Sequence, residues 1–161
     1  MSFEIAFQTC NLSYKTEEIV NPFTGETIEA PVGECVTEDE RRAVSRLLAT
    51  AGAPHADDFG CYTPGFSDGS SAEVFFDGLS GNPEFGGGTV ALRGISEEIC
   101  RFLYELAAAG NFAILPAMEG DFVLVTSAKN AERIASRWPE ATVIDSPDDL
   151  HRILIPDHRA N

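Results

Sequence analysis

From residue 89 onward, the spacing of apolar residues changes in an order that restricts the fold of the chain. Short alternating or apolar runs predict strands, and runs with apolar residues three and four apart predict helices. In the first of these helices Ile99, Phe102 and Leu103 fall on one face. A final helix begins at Ser146 and Pro147, a cap residue followed by a first-position proline. The predicted order before it is strand, helix, strand, strand, helix, strand, over residues 89–93, 96–110, 112–116, 121–126, 128–138 and 142–145.

This order is the ferredoxin-like βαββαβ order. The earlier part of the chain supplies extra strands and one helix, which Thr37 opens with Glu40 at the capping-box spacing. Pro22 and Gly25 predict the turn of a hairpin within residues 17–28. We therefore predict an α+β fold with a mixed or antiparallel sheet and three to four helices. The predicted single domain spans 1–161, with an acidic half of strands, hairpin and loops over 1–88 and a ferredoxin-like half over 89–155.

The net charge decides which partners the chain can attract. The chain has 26 acidic residues against 11 basic ones, a formal net charge of −15. Residues 1–92 carry 15 of the acidic residues and only 4 of the basic ones. Such a surface repels nucleic acid and anionic membranes and speeds encounter with basic partners. Because no basic stripe is present, the sequence argues against a nucleic-acid-binding protein.

The N-terminus and the cysteines indicate a cellular compartment. No window approaches the roughly 18 apolar residues that cross a bilayer, and residues 1–5 lack the basic start of a signal peptide. We therefore predict a cytoplasmic protein that does not contact a membrane. The cysteines lie singly, without the spacing of a zinc or redox site, and we expect reduced thiols. They are Cys10, Cys35, Cys61 and Cys100.

No residue pattern in the chain indicates chemistry. The glycine-rich stretch 78–88 lacks a lysine and leads into a strand, so it favours a loop over a phosphate cradle. Cys61, with His55 six residues before it, is the one thiol placed in a loop, but no spacing defines a nucleophile. Asp57, Asp58 and Asp68 lack the alternation of a calcium loop. We predict no catalytic residue, no metal and no cofactor.

Two long loops, residues 55–70 and 78–88, place aromatic side chains among carboxylates. Loops longer than roughly 12–15 residues in a compact domain are commonly functional. Aromatic side chains beside acids suit a protein partner whose apolar pockets are rimmed by arginine and lysine. Each ring taken singly also has the favoured alternative that it packs its loop onto the core. The glutamates along the hairpin either protect an edge strand or extend the acidic binding face. The predicted partner-binding residues are Asp57, Asp58, Phe59, Tyr62, Phe66, Asp68, Glu84 and Phe85.

These properties predict an acidic cytoplasmic protein that binds a basic protein partner. In size, acidity and lack of a catalytic motif the chain is similar, at class level, to bacterial immunity proteins, which implies an inhibitor that covers the active site of a basic toxin or enzyme. One alternative is a ferredoxin-like small-molecule sensor that binds its ligand at the turn of residues 93–96, where a helix N-terminus begins. Another is a hydrolase or transferase marked by a buried, pKa-perturbed carboxylate or thiol. The oligomeric state stays open.

Overall fold

The computed structural model describes residues 3–33, 35–82, 84–118 and 122–155, with the main chain alone for 13–17 and 30–33. The described residues form nine strands and four helices. Residue 121, where one strand was expected to begin, lies outside them. The strands are β1 Phe3–Thr9, β2 Leu12–Val20, β3 Thr27–Gly33, β4 Cys61–Tyr62, β5 Ser71–Phe75, β6 Gly87–Arg93, β7 Phe112–Pro116, β8 Leu124–Val125 and β9 Thr142–Val143. The helices are α1 Glu38–Thr50, α2 Glu97–Gly110, α3 Ala128–Ile134 and α4 Pro147–Leu154.

Seven strands form one sheet in the order β4-β5-β6-β1-β7-β8-β9. Every neighbouring pair is antiparallel except β8 and β9, which α3 connects in parallel. The predicted α+β class, with a mostly antiparallel sheet and helices, is confirmed. The ferredoxin-like order is not confirmed, because β1 lies between β6 and β7 and pairs with both.

The helices divide between the two faces of the sheet. Three of them, α1, α2 and α4, bury their apolar residues with Ile5 and Phe7 of β1 in the main core. On the other face Ile134 of α3 packs against Cys10 and Ala113 in a smaller cluster. Nowhere in the described residues is a helix both long and apolar enough to cross a membrane.

An aromatic cluster lies at the centre of the main core. Phe7 contacts Phe76 and Phe112 edge-on, with ring centroids 6.0 and 5.9 Å apart. Phe85 closes the cluster at 5.6 Å from Phe76 and 6.3 Å from Phe112. Such pairs add about 0.5–1.5 kcal/mol each beyond the area that they bury. Because these rings come from β1, β7 and the segment between β5 and β6, the cluster ties distant parts of the chain into one core.

The two glycines that begin β6, Gly87 and Gly88, are required by the close approach of the neighbouring strands. A Cβ atom on Gly88 would lie 2.1 Å from the carbonyl oxygen of Phe75, and one on Gly87 would lie 2.1 Å from that of Phe7. Gly87 also has a φ of 149°, where side chains are strained. These glycines therefore let β6 fit between β5 and β1, as close backbone approach requires.

Candidate partner-binding surface

Among the described residues, the strands β2 and β3 pair only with each other and form a separate two-stranded sheet, which we call the arm (residues 12–33). The chain leaves the main sheet at Cys10, whose N–H donates to the carbonyl of Asn111 at 2.9 Å. From residue 18 to residue 29 every side chain is exposed. The predicted hairpin is thus confirmed, and it projects from the core instead of extending the main sheet.

The arm tip presents an aromatic ring to solvent. The side-chain oxygen of Asn21 accepts the N–H of Phe23 at 2.9 Å. The main-chain carbonyl of Asn21 accepts the N–H of Gly25 at 2.8 Å. Gly25 has a φ of 73°, the left-handed conformation that the turn requires. The ring of Phe23 is 95% exposed, although its backbone is held by this turn.

Each face of the arm has its own character. Ile19 lies directly opposite Ile28 on one face, and both are exposed. Glu18 lies directly opposite Glu29 on the other. An isoleucine pair stabilises a ribbon, whereas like charges directly opposite destabilise it. The arm therefore carries an isoleucine pair on one face and a glutamate pair on the other, and all four side chains are exposed.

Strand directions bring two loops to the end of the sheet from which the arm leaves, here called the arm end. Because β1, β6, β5 and β4 are successively antiparallel, the segments that enter β6 and β4 lie at this end. They are residues 76–86 and 55–60. Backbone hydrogen bonds agree with this, since the N–H of Thr9 donates to Gly86 at 2.8 Å and that of Val36 donates to Phe85 at 2.9 Å.

The loop at 76–86 is held by Arg41 of α1. The Arg41 guanidinium donates to the carbonyls of Gly78, Leu79 and Asn82 at 2.9, 2.5 and 2.5 Å. It also lies over the ring of Phe85, 5.6 Å from the centroid. The side chain of Glu84 is left exposed on this clamped loop.

The loop at 55–60 is built around Asp57. Its carboxylate accepts the N–H groups of Phe59 and Cys61 at 2.8 and 3.0 Å. Asp57 therefore shapes the turn, while Asp58 and Phe59 project from it. The ring of Phe59 is 90% exposed.

The structure divides the eight predicted partner-binding residues among three places. Asp57, Asp58, Phe59 and Glu84 lie at the arm end, as the strand directions require. Two others lie at the opposite end, because β4 separates the halves of the long loop: the ring of Phe66 packs on α2 and Asp68 accepts the hydroxyl of Ser70.

Tyr62 and Phe85 lie in the main core, 5% and 2% exposed. Their burial leaves no ring surface for a partner, so the structure removes them from the predicted surface. Both residues of β4 are buried, and the clamp on residues 76–86 holds the segment that carries Phe85 against α1. The aromatic content of a loop does not reveal such long-range packing.

Exposed carboxylates gather at the arm end, from the arm, the first turn of α1 and the two loops. Of the basic side chains described on these elements, Arg41 is bound to carbonyls and Arg42 pairs with Glu38 at 3.7 Å. A groove of about 550 Å³ lies between the end of β1 and the loop at 76–86. It is lined by Gln8, Cys35 and Glu84, among others. The carboxylates, here called the acidic surface, are Glu18, Glu26, Glu29, Glu38, Asp39, Asp57, Asp58, Asp77 and Glu84.

Glu40 carries a buried carboxylate. In the sequence it is identifiable only as part of a helix cap. Glu40 is 8% exposed, and it accepts the N–H of Thr37 at 2.9 Å in a complete capping box. It also accepts the amide of Asn11 at 2.8 Å and that of Asn111. Asn130 of α3 donates to Asn111 at 3.2 Å. One carboxylate thus joins the starts of α1 and the arm to the ends of α2 and β1.

Hydrogen bonding makes Glu40 a stronger acid than usual. Burial alone would raise the pKa of its carboxyl, but the donors from Thr37, Asn111 and Asn11 together outweigh burial and hold the pKa below its ordinary value of 4.5. The hydrogen bonds that the carboxylate accepts from Thr37, Asn11 and Asn111 hold these three segments around one fixed negative charge.

A pH prediction follows from Glu40. Because its folded pKa is depressed, its contribution to stability is fully present above 4.5 and is lost as the pH falls through the folded value. We expect Glu40→Gln to show a smaller drop in unfolding free energy than the unmodified protein between neutral pH and about pH 3. Urea denaturation across this range measures it. Parallel curves for the two proteins would contradict the prediction.

Three thiols, those of Cys10, Cys61 and Cys100, have raised pKa values. Burial raises the pKa of Cys10 to about 12. The charge of Arg133 lowers this pKa and that of Glu40 raises it. Burial also raises the pKa of Cys61, and the nearby charges of Asp57 and Glu73 raise it further. A thiolate is the reactive form of cysteine. The environment of Cys61 therefore disfavours the nucleophile considered from its loop position.

The turn that the sensor alternative requires is already occupied by the chain itself. Ser96 caps α2 and accepts the N–H of Ile99 at 3.1 Å. Glu98 accepts both the N–H and the hydroxyl of Ser67, at 3.0 and 2.8 Å. With Asp68 also beside Ser96, the local charge repels the anion that a helix N-terminus would attract.

Within the described ranges, no three His, Cys, Asp or Glu side chains are grouped so as to hold a metal ion. The site is therefore defined by surface chemistry: exposed carboxylates, two exposed rings and a projecting ribbon. Comparison of the chain with protein-family models, with curated proteins and with solved structures finds no significant match in any of the three.

Proposed function

We propose that this protein is a cytoplasmic protein-binding module, an immunity-type inhibitor that neutralises a basic toxin or enzyme by covering its active site. The observation that carries the proposal is the acidic surface at the arm end. Nine carboxylates are exposed there, together with two rings, Phe23 at the arm tip and Phe59 on the loop at 55–60, which are exposed by 95% and 90%. Large rings exposed to this extent within a charged border are typical of a partner surface.

The proposed mechanism is steric and electrostatic. Asp58 and Glu84 project from loops that Asp57 and Arg41 hold in place, so they meet the arginines and lysines of the partner without first being ordered. Phe59 supplies the apolar anchor beside them. An active site that binds an anionic substrate is basic, and the acidic surface would occupy it in place of the substrate.

Salt sensitivity tests the proposal. The tagged protein should capture one basic, stoichiometric partner from the lysate of its host at low salt. At high salt the binding of this partner should weaken, or the partner should dissociate. Charge attraction is screened beyond about 8 Å at physiological ionic strength, so the association rate should fall by roughly tenfold or more as salt rises. Capture with mass spectrometry, followed by stopped-flow association, measures both.

Matched variants locate the surface. Asp58→Asn with Glu84→Gln removes two charges from the acidic surface, whereas Glu97→Gln with Glu105→Gln removes two from the exposed side of α2. Only the first pair should slow association, and the purified partner should lose its own activity at a 1:1 ratio with the unmodified protein. Equal effects of the two pairs, or an association rate independent of salt, would remove the electrostatic basis of the proposal.

A further inference from the structure

The hydrogen-bond pattern of the arm shows which of its edges is open. In an antiparallel pair, residues alternate between pairs that bond to each other and pairs whose N–H and C=O groups point outward. The N–H of Asn21 donates to Glu26 at 2.8 Å, so these two form an inward pair. With the register of the arm, the outward pairs are then Val20 with Thr27, Glu18 with Glu29 and Thr16 with Pro31.

The two edges differ at the last of these pairs. On β3 the outward position is Pro31, which has no N–H to donate. Proline at such a position blocks an edge from adding another strand. On β2 the outward positions are Thr16, Glu18 and Val20, and each has both a donor and an acceptor. The outer edge of β2 is therefore the edge on which a further strand can pair.

The side chains of the arm indicate which strand would fit that edge. A residue paired opposite Glu18 lies on the face that carries Glu18 and Glu29, where two carboxylates repel each other. An arginine or lysine there would lie next to the pair and neutralise it. A residue opposite Ile19 lies on the face of Ile19 and Ile28, where an apolar side chain would cover both. The complementary strand alternates basic and apolar residues.

The arm also lacks the strand number that stability requires. An isolated two-stranded hairpin is marginally stable in water, whereas three strands with an apolar face are sufficient. A second copy of this chain is a poor third strand, because its arm would bring the same glutamates against Glu18 and Glu29. Charge complementarity therefore favours a basic partner over self-association.

We propose that the arm binds its partner by strand addition: an extended partner segment of alternating basic and apolar residues pairs with the outer edge of β2. This inference rests on the proposed function, since it names the element and the partner segment through which the acidic surface acts. The main-chain pairing supplies affinity and the two faces supply specificity, as in other strand-addition complexes.

A synthetic peptide tests strand addition on the whole protein. The probe is a short acetylated peptide of alternating arginine and valine, and the controls are its glutamate–valine counterpart and a version N-methylated along one edge, which cannot pair. Of the three peptides, we expect only the arginine–valine peptide to bind, as measured by fluorescence anisotropy. Its binding should slow amide hydrogen exchange at Glu18 and Val20. Glu18→Gln with Glu29→Gln should weaken it about tenfold, and Glu97→Gln with Glu105→Gln should leave it unchanged.

Several results would overturn the inference. They are equal binding of the N-methylated peptide, equal loss in the two variants, exchange protection outside the arm, or no binding of the arginine–valine peptide. A free protein that is already a dimer, with β2 protected, would also overturn it in favour of a second copy. If the arm variants bind the captured partner normally while Asp58→Asn with Glu84→Gln weakens it, the arm inference fails and the proposed function stands.

Discussion

Replacing Glu40 with alanine is expected to lower the unfolding free energy by about 3 kcal/mol, one of the two largest effects that we predict. The substitution leaves the N–H of Thr37 and the amides of Asn11 and Asn111 without their acceptor. Unsatisfied buried donors cost about 1–3 kcal/mol each, less where they relax toward water. The lost capping box contributes to the same total. Urea denaturation with linear extrapolation measures the change.

The control for Glu40 is Glu38, two residues earlier in the same turn. Glu38 is exposed and pairs with Arg41 and Arg42 at 3.8 and 3.7 Å. Exposed pairs of this kind contribute about 0–1 kcal/mol. Glu38→Ala should therefore change stability far less than Glu40→Ala. Similar losses in the two variants would mean that Glu40 acts only as a surface charge at the helix start.

Replacing Phe85 with alanine is expected to cost about 3–5 kcal/mol. The ring is 2% exposed and touches Phe76 and Phe112 in the aromatic cluster, so its removal leaves a cavity that rigid neighbours fill only in part. The clamp by Arg41 should loosen as well, because its guanidinium lies over this ring. The midpoint temperature of thermal unfolding should fall by roughly 10 °C.

Phe59 gives the matched comparison. It is 90% exposed, and Phe59→Ala should change stability by less than about 0.5 kcal/mol while weakening partner binding. If Phe85→Ala does not fold, Phe85→Leu should still cost about 1–2 kcal/mol. A Phe85 variant as stable as the unmodified protein would return this ring to the surface on which the sequence had placed it.

Local patterns predicted local structure well. Thr37 and Glu40 form the capping box that their spacing indicated, and Ser96 caps α2 with Ile99 and Leu103 buried on its inner face. Gly25 adopts the left-handed conformation expected of the hairpin turn. In each case the residues concerned lie within a few positions of each other, and a single turn of chain fixes their geometry. The later helix is shorter than predicted, ending at Ile134 and not at 138.

Relations between distant segments could not be predicted in this way. The insertion of β1 between β6 and β7 depends on pairings such as Ile5 with Val90, for which alternation gives no partner. The second role of Glu40 depends on Asn11 and Asn111, which are 29 and 71 residues away. An asparagine directly after Gly110, where a left-handed helix end is common, was the available sign of Asn111.

The candidate site shows the same division. Asp58 and Phe59, which the composition of their loop singled out, are both exposed. It could not distinguish Phe59 from Phe85, whose burial depends on a clamp from α1. The hairpin glutamates left two interpretations open, and the pairing of Glu18 with Glu29 shows that these two share one face.

The separation of residues 18–29 of the arm from both hydrophobic clusters has a consequence for how such a protein can change over generations. No residue between 18 and 29 belongs to either cluster, so substitutions there change the contact surface with little effect on folding. On the proposed function, the recognition residues of the arm and the residues that stabilise the fold lie in different parts of the chain. A lineage could follow a changing partner by altering the arm alone, while the sheet and its helices stay as they are.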